Sequence, residues 1–136
     1  MADSQPFFLY IEDDPLSREV LEMILKRIMK YSNIEYFDNS ENFEDKFLSL
    51  PQAPDVVFLD IQIRPHNGYD ILPWLRSQPA FQSTKVIALT ASVMVQDVAR
   101  LQEAGFDGLI GKPLAHKVFP RLLEQIMNGE AIWYIP

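Results

Sequence analysis

Short, mostly apolar runs alternate with amphipathic stretches along this chain. Residues 7–11, 34–37, 55–59, 85–89 and 106–110 have the length and composition of β-strands bounded by polar or turn residues. Within the run 55–59, residues 56–59 hold apolar side chains on consecutive positions, as a strand covered on both faces does. Between the runs, apolar residues recur at helical spacing. Leu16, Val20, Leu21, Ile24, Leu25, Ile28 and Met29 mark a first helix that Asp14-Pro15 opens, with a capping carboxylate before proline, and that reaches about Tyr31. A second helix starts between Asp38 and Ser40, buries Phe43, Phe47, Leu48 and Leu50, and ends at Pro51. A third covers 69–77 and packs through Leu72, Trp74 and Leu75. A fourth, capped by Ser92, stops at Ala104-Gly105, and a last helix begins near 117–119 and runs to about Met127. The pattern is that of five βα units around a parallel sheet, with no internal repeat or linker.

The polar residues that end these runs carry the chemistry. The first run ends in Glu12-Asp13-Asp14, the third in Asp60, the fourth in Thr90 and the fifth in Gly111-Lys112-Pro113. In a parallel sheet all four endings emerge at the carboxyl edge, where open α/β sheets bind ligands. A single aspartate after a strand is often only a turn-former or helix cap. Asp14 already supplies the cap of the first helix, so Glu12 and Asp13 are surplus acids, and neighbouring carboxylates repel unless a cation joins them. An aspartate such as Asp60 can attack phosphorus to form an acyl phosphate. Thr90 offers a hydroxyl donor, and Lys112 a point charge for a phosphate oxygen. His66 and His116 have no metal-ligand spacing and read as surface residues.

Composition narrows the class. The 136 residues fit one domain, with a net charge of −7 that argues against a nucleic-acid footprint. There is no cysteine, so thiolate chemistry is excluded. No apolar stretch approaches the roughly 20 residues of a membrane span, and the first residues lack the pattern of a signal peptide. The expectation is a cytoplasmic protein that makes no membrane contact.

The set Tyr10-Ile11-Glu12-Asp13-Asp14-Pro15, Leu59-Asp60-Ile61-Gln62, Asn67-Gly68-Tyr69, Leu89-Thr90-Ala91 and Gly111-Lys112-Pro113 resembles the receiver domain of two-component response regulators over about residues 7–128. The spacings of 30 residues from Asp60 to Thr90 and 22 from Thr90 to Lys112 match that family. The resemblance implies a flavodoxin-like (CheY-like) doubly wound α/β fold, with five parallel strands in order 2-1-3-4-5 and helices on both faces. It implies that Asp60 accepts a phosphoryl group from a sensor histidine kinase or histidine phosphotransfer protein. Mg²⁺ would be held by Asp13, Asp60 and the backbone carbonyl of Gln62, with Glu12 acting through water. Thr90 and Lys112 would hold the phosphoryl oxygens, and the Lys112-Pro113 peptide would be cis. Such a domain is a phospho-acceptor rather than an enzyme. It would signal by binding a downstream protein or pass the phosphoryl group onward in a phosphorelay, and a homodimer through the fourth helix, fifth strand and fifth helix is one implied arrangement.

Residues 1–128 are expected to form the receiver unit and 129–136 an apolar tail with no effector domain. Ile132, Trp133 and Ile135 of that tail are expected to fold back onto the domain, the other reading being a partner patch. Three features depart from the family pattern. Leu109 stands where an aromatic residue is usual, which calls into question the aromatic movement coupled to the threonine. Arg64 replaces the usual proline, with Pro65 one step later. Gln62 and Ser92 stand where side chains commonly tune phosphoryl lifetime. Two rival classes share parts of the pattern. A flavin-binding electron carrier would need a phosphate-cradling loop in place of Glu12-Asp13-Asp14. A haloacid-dehalogenase-type phosphatase would want a second aspartate where Gln62 stands. A receiver excised from a hybrid kinase would change the partner and keep the chemistry.

Overall fold

In the computed structural model, which describes residues 5–91 and 93–136, the strands are β1 (Phe8–Ile11), β2 (Ile34–Phe37), β3 (Val56–Leu59), β4 (Lys85–Thr90), β5 (Gly108–Gly111) and β6 (Ile132–Tyr134). They form one parallel sheet in the order β2-β1-β3-β4-β5-β6. The helices are α1 (Pro15–Met23), α2 (Phe43–Leu48), α3 (Gly68–Ser77), α4 (Val95–Ala104) and α5 (Phe119–Met127). Among the described residues, no helix is long and apolar enough to cross a membrane.

The period of two along each strand sorts the apolar side chains into two layers. Leu9, Ile11, Val57, Leu59, Val86, Ala88 and Leu109 face a core completed by α2, α3 and α4 through Phe43, Phe47, Ile71, Leu72, Leu75 and Leu101. Phe8, Tyr10, Val56, Phe58, Ile87, Leu89 and Ile110 face the other core, closed by Leu21, Ile24 and Leu25 beside Phe119, Leu123 and Ile126 of α5. Trp74 packs edge-on against Phe43, with ring centroids 5.5 Å apart.

Several boundaries differ from the sequence reading. Helix α1 continues as a wider π-turn over Ile24–Ile28, and Lys30 then takes a left-handed φ of 65° that ends it. Helix α2 starts only at Phe43. Before it, the Asn39 side chain accepts the Glu41 N–H at 2.9 Å, making a local turn that competes with the helix. Helix α4 starts at Val95, where the Asp97 carboxylate accepts the Met94 N–H at 2.7 Å. The expected cap Ser92 lies outside the described residues. Strand β5 begins at Gly108 because Phe106 leaves the ladder to meet Tyr69 edge-on, and Asp107 turns to accept from Arg76 and from Val86 N–H, at 2.7 and 2.8 Å.

The largest difference is the sixth strand. Gly129 turns the chain after α5 at φ 94°, and β6 pairs with β5 in the register Gly108↔Ile132, Leu109↔Trp133, Ile110↔Tyr134. Its short length and lack of alternation left it looking like a tail. Trp133 and Ile135 pack on one core, Ile132 and Tyr134 on the other. The ladder depends on a bare backbone at Gly108, where a Cβ would stand 2.7 Å from the Ile132 carbonyl oxygen. Gly108→Ala is therefore expected to cost about 1–3 kcal/mol, read by thermal unfolding. An unchanged Tm would mean that β6 does not lie against Gly108.

Candidate functional site

Parallel pairing in register brings the strand ends together. Ile11 pairs with Leu59 and Leu59 with Ala88, while Thr90 pairs with Gly111. The residues that follow, Glu12, Asp13, Asp60 and Lys112, therefore open at one edge with Thr90. The ladder holds them at the backbone: Asp60 N–H donates to the Ile11 carbonyl at 3.2 Å, Glu12 N–H to that of Phe37 at 3.0 Å, and Lys112 N–H to that of Thr90 at 2.9 Å.

Asp60 lies at the floor, 9% exposed. Its Oδ1 accepts from the Thr90 hydroxyl and from the Gln62 backbone N–H, each at 3.1 Å. Among the described residues no donor reaches Oδ2, so one carboxylate oxygen is fixed and the other is left for chemistry. Carboxylate oxygens of Glu12, Asp13 and Asp60 lie within 4.8 Å of one another. Asp13 is exposed and Glu12 is 1% exposed. Three hard oxygen donors converging with one of them, Asp13, exposed suit Mg²⁺, which takes one or two carboxylates and keeps several waters.

Glu12 already has donors on both of its oxygens. Its Oε1 accepts from Tyr10 Oη at 3.0 Å and is ion-paired with Lys112 Nζ, and its Oε2 accepts the Asp14 N–H at 3.1 Å. This leaves Asp13 and Asp60 the freer pair for direct contact with a cation. Burial, and then the Glu12 carboxylate, push the Tyr10 phenol well above its usual range, so it stays a donor. Arg18 Nη1 donates to the Glu12 carbonyl at 2.6 Å. Asp14 caps α1, accepting from Leu16 N–H, Ser17 N–H and the Ser17 hydroxyl, whose bond leads the causes that hold its carboxyl below the usual value.

Of the residues expected to hold phosphoryl oxygens, Thr90 contacts Asp60, whereas Lys112 contacts Glu12 and Ser17 Oγ, the latter at 3.4 Å. The Lys112–Pro113 peptide is cis, and so is Arg64–Pro65. Leu109 is fully buried and directly opposite Trp133 on β6. Tyr10, Ser17 and Arg18 are site residues that the sequence reading passed over. Tyr10 was findable, because residues two apart on a strand share a face and Glu12 follows it by two. Ser17 and Arg18 reach the site only because α1 packs back over the strand ends. A groove of about 410 Å³ flanks Lys112, lined by Tyr10, Leu16, Val20, Ala91, Pro113 and Leu114 among others. A smaller cavity of about 170 Å³ lies beside Thr90, under Gln62, Tyr69 and Arg100.

The profile of the response regulator receiver domain matches residues 8–124. Among curated proteins, the chain is 32% identical over 124 residues to stress response regulator protein 1 of Scheffersomyces stipitis, covering 89% of this chain and 42% of that protein. It is 26% identical over 120 residues to the polar-differentiation response regulator DivK of Brucella anthropi, covering 88% of this chain and 92% of that one. The chain thus spans less than half of the first relative and nearly all of the second. Among solved structures, the signal receiver domain of a DNA binding response regulator from Colwellia psychrerythraea superposes with a TM-score of 0.78 at 27% identity, covering 91% of this chain and 99% of that one. The signal receiver domain of a signal transduction histidine kinase from Syntrophus aciditrophicus does so with 0.75 at 31% identity, covering 91% of each.

Proposed function

Because this chain belongs to the response regulator receiver domain family, we propose that it accepts a phosphoryl group on Asp60 and signals through the protein contacts which that modification changes. The observation that carries the reading is the setting of Asp60, whose Oδ1 is held by Thr90 and Gln62 and whose carboxylate lies within 4.8 Å of those of Glu12 and Asp13. The donor is a phosphohistidine on a sensor histidine kinase or histidine phosphotransfer protein. Asp60 Oδ2 forms the new P–O bond as the P–N bond breaks, and the imidazole leaves with the bonding pair and regains a proton from water. Asp13, Asp60 and the Gln62 carbonyl would hold Mg²⁺, with Glu12 behind a water, and the ion would offset the negative charge of carboxylates and phosphoryl group.

Lys112 moves from Glu12 to a phosphoryl oxygen, and the Thr90 hydroxyl passes from Asp60 to another. The loops after β3 and β4 carry the change outward. Residues 129–136 act in this reading as part of the receiver unit, through β6. That strand already occupies the free edge of β5. A homodimer pairing on the β5 edge, between α4 and α5, would first require β6 to leave. The downstream partner is then read through α4, the loops around Thr90 and β6 itself.

Incubation with acetyl phosphate tests the acceptor chemistry. The intact mass is expected to rise by one phosphoryl group when Mg²⁺ is present, with acetate released, and to stay unchanged after chelation. Equal labelling with and without the metal would contradict the role given to the acidic cluster.

A further inference from the structure

Tyr10 is a fully buried phenol on β1, and its hydroxyl reaches the same Glu12 oxygen, Oε1, that Lys112 pairs with. While the ammonium is present the phenol is the second of two donors to this oxygen. It becomes the one that is needed if the ammonium goes. Glu12 is 1% exposed, and a buried carboxylate stripped of its partner is strongly disfavoured unless another donor remains. Asp14 N–H serves the other oxygen, Oε2. For Oε1, the group that stays is Tyr10.

We propose that Tyr10 is a positioning residue that satisfies Glu12 Oε1 when Lys112 departs, so that the lysine is free to reach a phosphoryl oxygen. The inference rests on the assignment of Lys112 to the phosphoryl group. The hydroxyl cannot follow Lys112, because the ring is clamped in the core. It lies edge-on to Phe58 at 6.3 Å between centroids, and both belong to the layer that α5 closes. The shared oxygen thus makes Lys112 exchangeable while keeping Glu12 in place.

Tyr10→Phe removes the hydroxyl and keeps the ring, so the core packing is retained. In this variant Lys112 is the one remaining partner of Glu12 Oε1 and is held more tightly. In the metal-free, unphosphorylated chain, the ¹⁵N NMR signal of the Lys112 ammonium is expected to show severalfold slower proton exchange with water than in the wild type. In labelling with acetyl phosphate across a Mg²⁺ titration, the rate at saturating Mg²⁺ is expected to fall about tenfold, as the loss of one hydrogen bond to a charged group allows. The half-saturating Mg²⁺ concentration should move less than about twofold, since Tyr10 acts on the lysine and not on the ion.

Unchanged ammonium exchange, a wild-type rate at saturating Mg²⁺, or a loss that appears as a shift in the Mg²⁺ midpoint would each overturn the proposal. Failure of the wild-type chain to label would instead strike the acceptor reading, and the ammonium exchange would still report on Tyr10. Thermal unfolding of Tyr10→Phe shows whether the variant is folded, and the metal-free NMR signal is read on that folded protein.

Discussion

Asp60→Asn is expected to abolish labelling by acetyl phosphate while leaving the fold intact. An amide has no anionic oxygen to attack phosphorus, and loss of a nucleophile commonly costs a thousandfold or more, ~10³ at the least. The substitution spares the structure because the Asn side-chain oxygen can still accept from the Thr90 hydroxyl and the Gln62 N–H that fix Oδ1. It also removes one of the carboxylates converging on the site, and like charges at that separation oppose each other when no cation is bound. The variant should therefore unfold without Mg²⁺ at the wild-type temperature or above it, and its unfolding should respond less to added Mg²⁺. Thermal unfolding with and without the ion, beside intact-mass labelling, checks both halves. Residual labelling near the wild-type level would move the acceptor elsewhere.

Removal of residues 130–136 is expected to lower stability and expose an adhesive edge. Ile132, Trp133, Tyr134 and Ile135 are each half-buried against the two core layers. Burial on that scale is worth about 4 kcal/mol, and the entropy of ordering the segment offsets part of it. A net loss of about 1–3 kcal/mol follows, or about 4–10 °C in Tm for a domain of this size. Leu109 would lose Trp133 as its neighbour, and β5 would present unpaired backbone groups to solvent, which promotes strand-to-strand association. Concentration-dependent dimerisation of the shortened chain, set against a monomeric full chain in the same sedimentation experiment, is the expected signature. A shortened chain with unchanged Tm and size would show that β6 contributes little to the sheet.

Much of this architecture was legible in the residues. The consecutive apolar run Val56–Leu59 marked a central strand, and Leu21, Ile24 and Leu25 marked the helical face that covers it, whereas Leu16 of the same pattern is exposed. The strand endings were legible for the same reason, since in a parallel sheet the position of a polar residue along its strand fixes the edge at which it emerges. What the pattern did not disclose depends on contacts between distant segments. Whether Ile132–Tyr134 pairs depends on a bare backbone at Gly108, more than twenty residues away in sequence. The starts of α2 and α4 were set by Asn39 and Asp97, whose side chains bond to nearby backbone in ways that propensity does not rank. The acids, the hydroxyl and the ammonium were expected at one edge of the sheet, and they open there. The partner of Lys112 in this structure was not expected, because a pairing across 100 residues of sequence is decided by how β1 and the loop after β5 converge.

That convergence also bears on the missing aromatic residue. Leu109 leaves β5 with no aromatic ring of its own, yet β6 brings Trp133 into register with it. Tyr134 and Pro136 approach Gly111, the pairing partner of Thr90; a Cβ at Gly111 would meet Pro136 Cδ at 2.8 Å and the Tyr134 carbonyl oxygen at 3.4 Å. The end of the chain thus packs against the strand that pairs with Thr90.

Asp60 is expected to carry the phosphoryl group. An acyl phosphate is cleaved by borohydride to the corresponding alcohol, so reduction after labelling converts the modified aspartate into homoserine, which peptide mass mapping locates. The expected result is homoserine at Asp60 and at no other carboxylate, formed only when Mg²⁺ was present during labelling. Homoserine at Asp13 or Asp14, or an acid-labile phosphate on His66 or His116 with Asp60 unmodified, would contradict it.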